Sequence, residues 1–114
     1  MTTKRTGDHA ETLVARELER RGFSLLGRNV RVGRLELDLI ARRGRLVVFC
    51  EVRSRTRAGS IAPYETIDRR KIERLRRAAL GWLVTNGGSF DVRFDVASVI
   101  LGPPVKIDYF ENAF

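Results

Sequence analysis

Three carboxylates stand inside two neighbouring segments that otherwise have the pattern of buried β-strands. Glu36 and Asp38 lie in the run LELDLI (35–40), and Glu51 lies in the run FCEVR (49–53). Acidic side chains are almost never buried unless they are paired or bind a metal. A divalent cation held between the two strands would account for these acids, so the sequence predicts an oxygen-ligand metal site.

Parity along the two strands indicates that the acids share one face of a sheet. If the strands form a hairpin with a loop of two or four residues, Arg42 pairs with Arg45 and Glu36 lies opposite Glu51. Asp38 is then the diagonal neighbour of Glu51. Like charges so close repel unless a cation joins them or one acid is protonated.

Two carboxylates on one face suit magnesium or manganese. Mg²⁺ prefers one or two carboxylates and several retained waters, so Asp38 and Glu51 are the predicted ligands. A metal bound there lowers the pKa of a water and offsets the charge that develops at a phosphodiester. Arg53, on the same face, is placed to hold the scissile phosphate. The alternative is an exposed sheet face whose acids are neutralised by neighbouring arginines.

Charge is the second strong signal. The 114 residues include 22 Lys and Arg against 14 Asp and Glu, which gives a net charge of +8. Almost all of the basic excess is arginine, which binds phosphate groups through two parallel hydrogen bonds. The balance favours a polyanionic partner, with nucleic acid as the first candidate and an acidic membrane surface as the second. The alternative is a soluble protein whose arginines only solvate its surface.

The few reactive side chains exclude several classes of function. Cys50 is the only cysteine, so no internal disulfide can form, and its apolar neighbours indicate a core residue. His9 is the only histidine, which leaves a nucleophile–histidine pair without support and excludes a His/Cys zinc site. Asp95 is interpreted as structural, bonded to an arginine. With no apolar leader and no membrane-length run, we expect a cytoplasmic protein that does not bind a membrane.

Hydrophobic periodicity predicts one α/β domain over residues 1–114, with residues 1–6 disordered. Alternation within 35–40 predicts that its leucines face one side of the sheet and that Glu36, Asp38 and Ile40 face the other. A helix between the third and fourth strands permits these two strands to pair in parallel. The predicted elements are a helix over 7–21, strands over 23–32, 35–42 and 46–52, a helix from Asp68 to Asn86, a strand over 92–101 and a short strand over 105–110.

Basic residues cluster near the predicted site. The segment 54–65 follows the second acidic strand directly and has the glycine and proline content of a mobile loop. We expect its Arg55 and Arg57 to bind nucleic acid. Lys71 and Arg74, on the second helix, are further candidates for phosphate contacts, although such a charged run is also typical of a solvated helix face.

Residues 33–55, GRLELDLIARRGRLVVFCEVRSR, resemble the YraN-like family. That family's pattern is approximately Gly-Glu-Ile-Asp-Leu-Ile-Ala, a short hairpin, and Phe-Val-Glu-Val-Lys-x-Arg. The similarity covers nearly the whole chain in the right order. The other matching segments are Ala10-Glu11, Arg21-Gly22-Phe23, Arg28-Asn29, Lys71 with Leu75 and Ala79, Arg93-Phe94-Asp95-Val96 and Asn112-Ala113-Phe114.

The resemblance implies a restriction-endonuclease-like fold of the PD-(D/E)XK superfamily, related to archaeal Holliday-junction resolvases. That fold is a three-layer α-β-β-β-α-β core with a mixed central sheet flanked by helices. The superfamily's Asp and Glu-x-Lys map onto Asp38, Glu51 and Arg53 as catalytic residues, and Glu11 would be the helix-borne acid of the metal site. Glu36 would be an outer acid beside the ligands or a partner for a nearby arginine.

The resemblance also implies Mg²⁺ or Mn²⁺ as cofactor and DNA, branched DNA in particular, as substrate. A homodimer is expected because two strands of a branched DNA must be cut. One departure separates two hypotheses: the active-site lysine of the superfamily is Arg53 here, and arginine stays protonated where lysine need not. The alternative to a nuclease is therefore a catalytically degenerate nucleic-acid-binding protein of the same fold. A third hypothesis is an accessory protein that docks on a ribonucleoprotein through its basic surface.

Overall fold

The structure, a computed structural model, describes the backbone of residues 3–55 and 68–114, and the side chains from residue 7 onward within those ranges. The element order predicted from the sequence is confirmed. Helix α1 begins four residues earlier than expected, within the segment predicted to be disordered. The elements are α1 (Thr3–Arg20), β1 (Ser24–Val32), β2 (Leu35–Arg43), β3 (Leu46–Arg55), α2 (Arg69–Asn86), β4 (Asp91–Ile100) and β5 (Lys106–Phe110).

One mixed sheet joins the strands in the order β1-β2-β3-β4-β5. Strands β3 and β4 run parallel, as predicted, and the other neighbouring pairs run antiparallel. The parallel pair needs a long crossover, which α2 and its flanking segments provide. Helix α1 packs on one face of the sheet and α2 on the other, so the protein has three layers with an apolar core on each side.

The hairpin between β2 and β3 has a different register from the one predicted. Arg43 pairs with Leu46 and Leu39 with Cys50, so the prediction that Arg42 pairs with Arg45 is wrong. The cause lies in the loop, where Gly44 has φ 61° at the first of two positions, a conformation that favours glycine. Extending this register makes Asp38, and not Glu36, the residue level with Glu51. Parity is unchanged because each strand shifts by one residue.

The alternation predicted for β2 is also wrong in its second half. Leu37 packs in the α2 core, but Leu39 packs in the α1 core on the opposite face and Ile40 packs on the α2 side, so the three leucines do not share one face. The change of face falls at Asp38, where regular pairing with β3 has ended. On the other side, the β1 residue between the partners of Leu37 and Leu39 is Asn29, whose φ is 52°. This left-handed residue distorts the ladder where the acid stands.

Helix α2 begins where its sequence signal places it. The Asp68 side chain accepts a hydrogen bond from the Lys71 backbone N–H at 2.9 Å and caps the helix. The same cap fixes Lys71 in the first turn, at the end of the helix near the acidic strands. Farther along, Gly81 allows close packing on β1, because a Cβ there would lie 2.7 Å from Val32 Cγ1.

A buried carboxylate on β4 joins this strand to β5 and to the residues that follow it. Asp95 is fully buried and accepts two hydrogen bonds from the Arg93 guanidinium, both at 2.9 Å. The Tyr109 hydroxyl donates to it at 2.6 Å and the Asn112 backbone N–H at 2.9 Å. The prediction of a structural Asp95 bonded to an arginine is confirmed. Cys50 is buried nearby, as its apolar neighbours indicated.

Candidate active site

Asp38 and Glu51 meet where β2 and β3 separate. The Val52 backbone N–H donates to Asp38 Oδ2 at 2.9 Å, so this side chain takes the place of a strand acceptor just beyond the last backbone pair. A protonated Asp38 carboxyl can donate a hydrogen bond to Glu51, which is only 5% exposed. The sequence prediction that these two acids converge is therefore confirmed, although through a different register.

The pair cannot carry two full negative charges cheaply. Burial, the hydrogen bond to Glu51 and the charge of Glu51 together raise the pKa of Asp38 to about 8, against an ordinary value of 3.8. The hydrogen bond from Val52 acts in the opposite direction and is the weaker influence. At neutral pH the Asp38 carboxyl therefore keeps its proton, which spares the site a second negative charge next to Glu51.

Two basic side chains approach Glu51. Lys71 Nζ lies 3.2 Å from Glu51 Oε2, and Arg53 Nε lies 3.9 Å from the same oxygen. The sequence predicts Arg53 as the cation of the site and Lys71 as one of several phosphate contacts on α2. The structure brings both to the acids, with the lysine closer. The Asp68 cap, which is visible in the sequence, places Lys71 in the first turn of α2. The distance between Lys71 and Glu51 depends on how the crossover positions α2 against the sheet, which the sequence does not show.

Glu11 extends from α1 toward the sheet and is held by two β1 residues. Asn29 Nδ2 donates to Glu11 Oε1 at 3.0 Å, and Arg28 Nε lies 3.4 Å from the same oxygen. Burial raises the pKa of Glu11, while the bond from Asn29 and the charge of Arg28 oppose the rise. The negative charge of Glu11 also contributes to the raised pKa of Asp38, less than burial or Glu51 does. Asn29 is the residue whose role sequence analysis missed.

Asp38, but not the buried Glu51, lines a cleft of about 270 Å³ between α2 and the start of β2. Glu36 is exposed on its rim and lies 3.9 Å from Arg31 Nε, which matches the expected arginine partner. Arg34, which sequence analysis did not select, lies on the wall opposite α2. The lining residues are Arg34, Leu35, Glu36, Asp38, Lys71, Arg74 and Leu75.

Of the two nucleic-acid contacts predicted just after the second acidic strand, only Arg55 lies among the described residues. Arg55 is the last residue of β3, and its carbonyl accepts a hydrogen bond from the Leu101 N–H at 2.9 Å. Arg57 and most of the basic segment 54–65 lie outside the described residues. Arg74 lines the cleft beside Lys71, and its role in binding phosphate stays a prediction.

The donor set fits a hard divalent cation. Asp38 and Glu51 offer two carboxylates, which is what Mg²⁺ takes from proteins, and the cleft leaves room for the waters that it retains. Across residues 7–55 and 68–114, no three His, Cys, Asp or Glu side chains form a metal-binding group. Glu11, which contacts Arg28 and Asn29, is therefore not part of a preformed three-ligand metal site, and its role as a ligand stays a prediction.

In the described part of the chain, neither helix is both long and apolar enough to cross a membrane.

Comparison with known proteins gives matches along nearly the entire chain. The family described as "Uncharacterised protein family UPF0102" matches residues 10–99. A UPF0102 protein of Alkaliphilus metalliredigens is 36% identical over 113 residues, which cover 98% of this chain and 99% of the relative. Relatives with the same name in Anaeromyxobacter dehalogenans and Streptomyces coelicolor are 41% and 42% identical, over 95% and 87% of this chain and 82% and 81% of their own lengths.

Proposed function

The chain belongs to the uncharacterised protein family UPF0102, which its YraN-like motifs indicated, and we propose that it is a divalent-metal-dependent nuclease. The site hydrolyses phosphodiesters of nucleic acid, with DNA favoured because of the resemblance to junction-resolving enzymes. The observation that carries the proposal is the convergence of Asp38 and the buried Glu51 beside a cleft lined by Arg34, Lys71 and Arg74.

The proposed fold assignment is the restriction-endonuclease-like three-layer core. Its support is the order of elements α1-β1-β2-β3-α2-β4, with an acid on β2, an acid on β3 and the central sheet between two helices. In that superfamily the acids of the second and third strands hold the metal. Asp38 and Glu51 occupy those two strands here, and β5 extends the sheet beyond the core.

The chain's own side chains divide the work of such a reaction. Asp38 and Glu51 would hold Mg²⁺ or Mn²⁺, which supplies an activated water and stabilises charge at the phosphate when it is bound. Asp38 must give up its proton first, so the raised pKa makes loading of the site favourable at mildly alkaline pH. Arg53 and Lys71 add positive charge next to Glu51, and Arg34 and Arg74 lie where the backbone of a nucleic acid could enter the cleft.

A cleavage assay tests the proposal. The full chain is incubated with Mg²⁺ or Mn²⁺ and labelled linear duplex, four-way junction and single-stranded DNA, together with a matched RNA. We expect metal-dependent cleavage that falls at least ~100-fold in Asp38→Asn and in Glu51→Gln, because each removes a charge that holds the metal. Glu36→Gln removes an exposed acid from the same cleft and is the matched control. Cleavage that persists in both site variants contradicts the proposal.

A nucleic-acid-binding protein without turnover is the second candidate. The observation that favours it is Arg53, which stands at the lysine position of the superfamily motif and lies 3.9 Å from Glu51. Arg53→Lys separates the two candidates. Cleavage that appears only in this variant assigns a degenerate site to the natural chain, whereas cleavage by the natural chain assigns a working one.

A further inference from the structure

Lys71 and a metal ion would compete for the same oxygen atom. Lys71 Nζ lies 3.2 Å from Glu51 Oε2, and the Glu51 side chain is almost completely buried. A buried carboxylate needs a partner of opposite charge, and among residues 7–55 and 68–114 this ammonium group lies closer to Glu51 than the guanidinium of Arg53 does. A divalent ion bound by Asp38 and Glu51 would lie close to the Lys71 ammonium group. The two positive charges would repel each other, so the lysine would leave Glu51.

We infer that Lys71 is an exchangeable counter-ion, which a divalent cation displaces from Glu51 and which then binds a phosphate of the nucleic acid in the cleft. This inference rests on the proposed metal-dependent function. It gives the site a regulation by metal, since the residue that grips the substrate is withheld until the cation is in place.

Three features of Lys71 favour movement over a fixed ion pair. Its side chain is 38% exposed, whereas that of Glu51 is 4% exposed, so the lysine end of the pair is the one in contact with solvent. A lysine carries its charge on a flexible four-carbon stem and can pivot about the helix backbone. The cleft that it lines is about 270 Å³ and also holds Arg74, so a phosphate that enters meets further positive charge.

The backbone of Lys71 does not need to move during this exchange. Its N–H is fixed by the Asp68 cap at 2.9 Å, which keeps the first turn of α2 in place. Arg53 is less suited to the exchange because its Nε lies farther from Glu51 and its side chain is less exposed, at 28%. The two cations therefore differ in role, with Lys71 as the mobile one.

Metal titration of the full chain without nucleic acid gives the first test. Lys71→Met removes the competing charge and keeps a long, helix-favouring side chain, so we expect it to bind Mn²⁺ roughly three- to tenfold more tightly than the parent. Arg74→Met removes a positive charge from the same cleft without contact to Glu51 and is the control, with an expected change within about twofold. Lys71→Gln provides a second substitution, and circular dichroism reports whether each variant is folded.

Binding of nucleic acid gives the second test. Affinity for a cleavage-resistant phosphorothioate oligonucleotide is measured by fluorescence anisotropy, once with a chelator and once with Mg²⁺. With the chelator, parent and Lys71→Met should bind within about twofold, because the lysine is occupied by Glu51; with Mg²⁺, the variant should bind roughly five- to tenfold more weakly.

The outcomes separate this inference from the proposed function. A parent that takes up no divalent metal overturns both. Metal binding that is equally tight in the parent and in the Lys71 variants overturns only the exchange. A loss of oligonucleotide affinity that is the same with and without Mg²⁺ makes Lys71 a permanent phosphate contact and also overturns it.

Discussion

Asp38→Asn should make the metal-free protein more stable at alkaline pH, although it removes a candidate metal ligand. The asparagine Oδ1 can accept the Val52 N–H, and its Nδ2 can donate to Glu51. The amide thus imitates the protonated carboxyl that the site holds at neutral pH. The substitution keeps the hydrogen bonds of the pair and removes only the charge.

The sign and size of the effect follow from the raised pKa of Asp38. This carboxyl titrates at about 8 in the folded protein and at an ordinary 3.8 when unfolded. Between these values the folded chain binds the extra proton, so the free energy of unfolding falls as pH rises, by about 1.4 kcal/mol per pH unit. From pH 5 to pH 8 the full effect is about 4 kcal/mol, and we expect roughly half, about 2 kcal/mol, because the site keeps some contact with water.

Urea denaturation of the parent and Asp38→Asn, with a chelator and at constant ionic strength, measures this difference. The two proteins should have similar stability at pH 5, and the variant should be more stable at pH 8. Glu36→Gln, on the same strand and exposed, should follow the parent at every pH. The reasoning would be refuted if the free energies of unfolding of the parent and of Asp38→Asn changed with pH in the same way. It would also be refuted if the parent became more stable relative to the variant as pH rises.

Three further substitutions test the packing of the scaffold. Asp95→Asn leaves the Arg93 guanidinium without its buried carboxylate and should lower the free energy of unfolding by about 3 kcal/mol in urea denaturation; a loss within experimental error would contradict the packing. Gly81→Ala should lower that free energy by about 1–2 kcal/mol because its Cβ would meet Val32, whereas Gly7→Ala, with open space at its Cβ in α1, should raise it by about 0.5–1 kcal/mol. Equal effects of the two alanines would show that Gly81 is not there for close packing.

The sequence predicted the convergence of Asp38 and Glu51 in spite of an incorrect register. Their common face depends only on whether the hairpin loop has an even number of residues, and a shift of one residue in each strand preserves that parity. The register depends on whether Gly44, with its positive φ, is the first or the second residue of the loop. The dipeptide Arg43-Gly44 alone does not specify this. The element order was predictable because α2 has a clear cap and the strands have clear turns.

The other parts of the site depend on contacts that local pattern cannot reveal. The change of face at Asp38 follows from the left-handed Asn29 on the neighbouring strand, which β2 alone does not indicate. Glu11 was reached through family resemblance, but its hold by Arg28 and Asn29 is tertiary. The approach of Lys71 to Glu51 depends on how the crossover places α2 against the sheet. Because α2 has many basic residues, its sequence does not distinguish Lys71 from the solvated ones.

Calorimetric titration of the full chain with Mg²⁺ and Mn²⁺ tests the central claim most directly. The account predicts uptake of a divalent ion that is lost in both Asp38→Asn and Glu51→Gln and retained in Glu36→Gln. Absence of uptake by the parent, or uptake that both site variants retain, would contradict it.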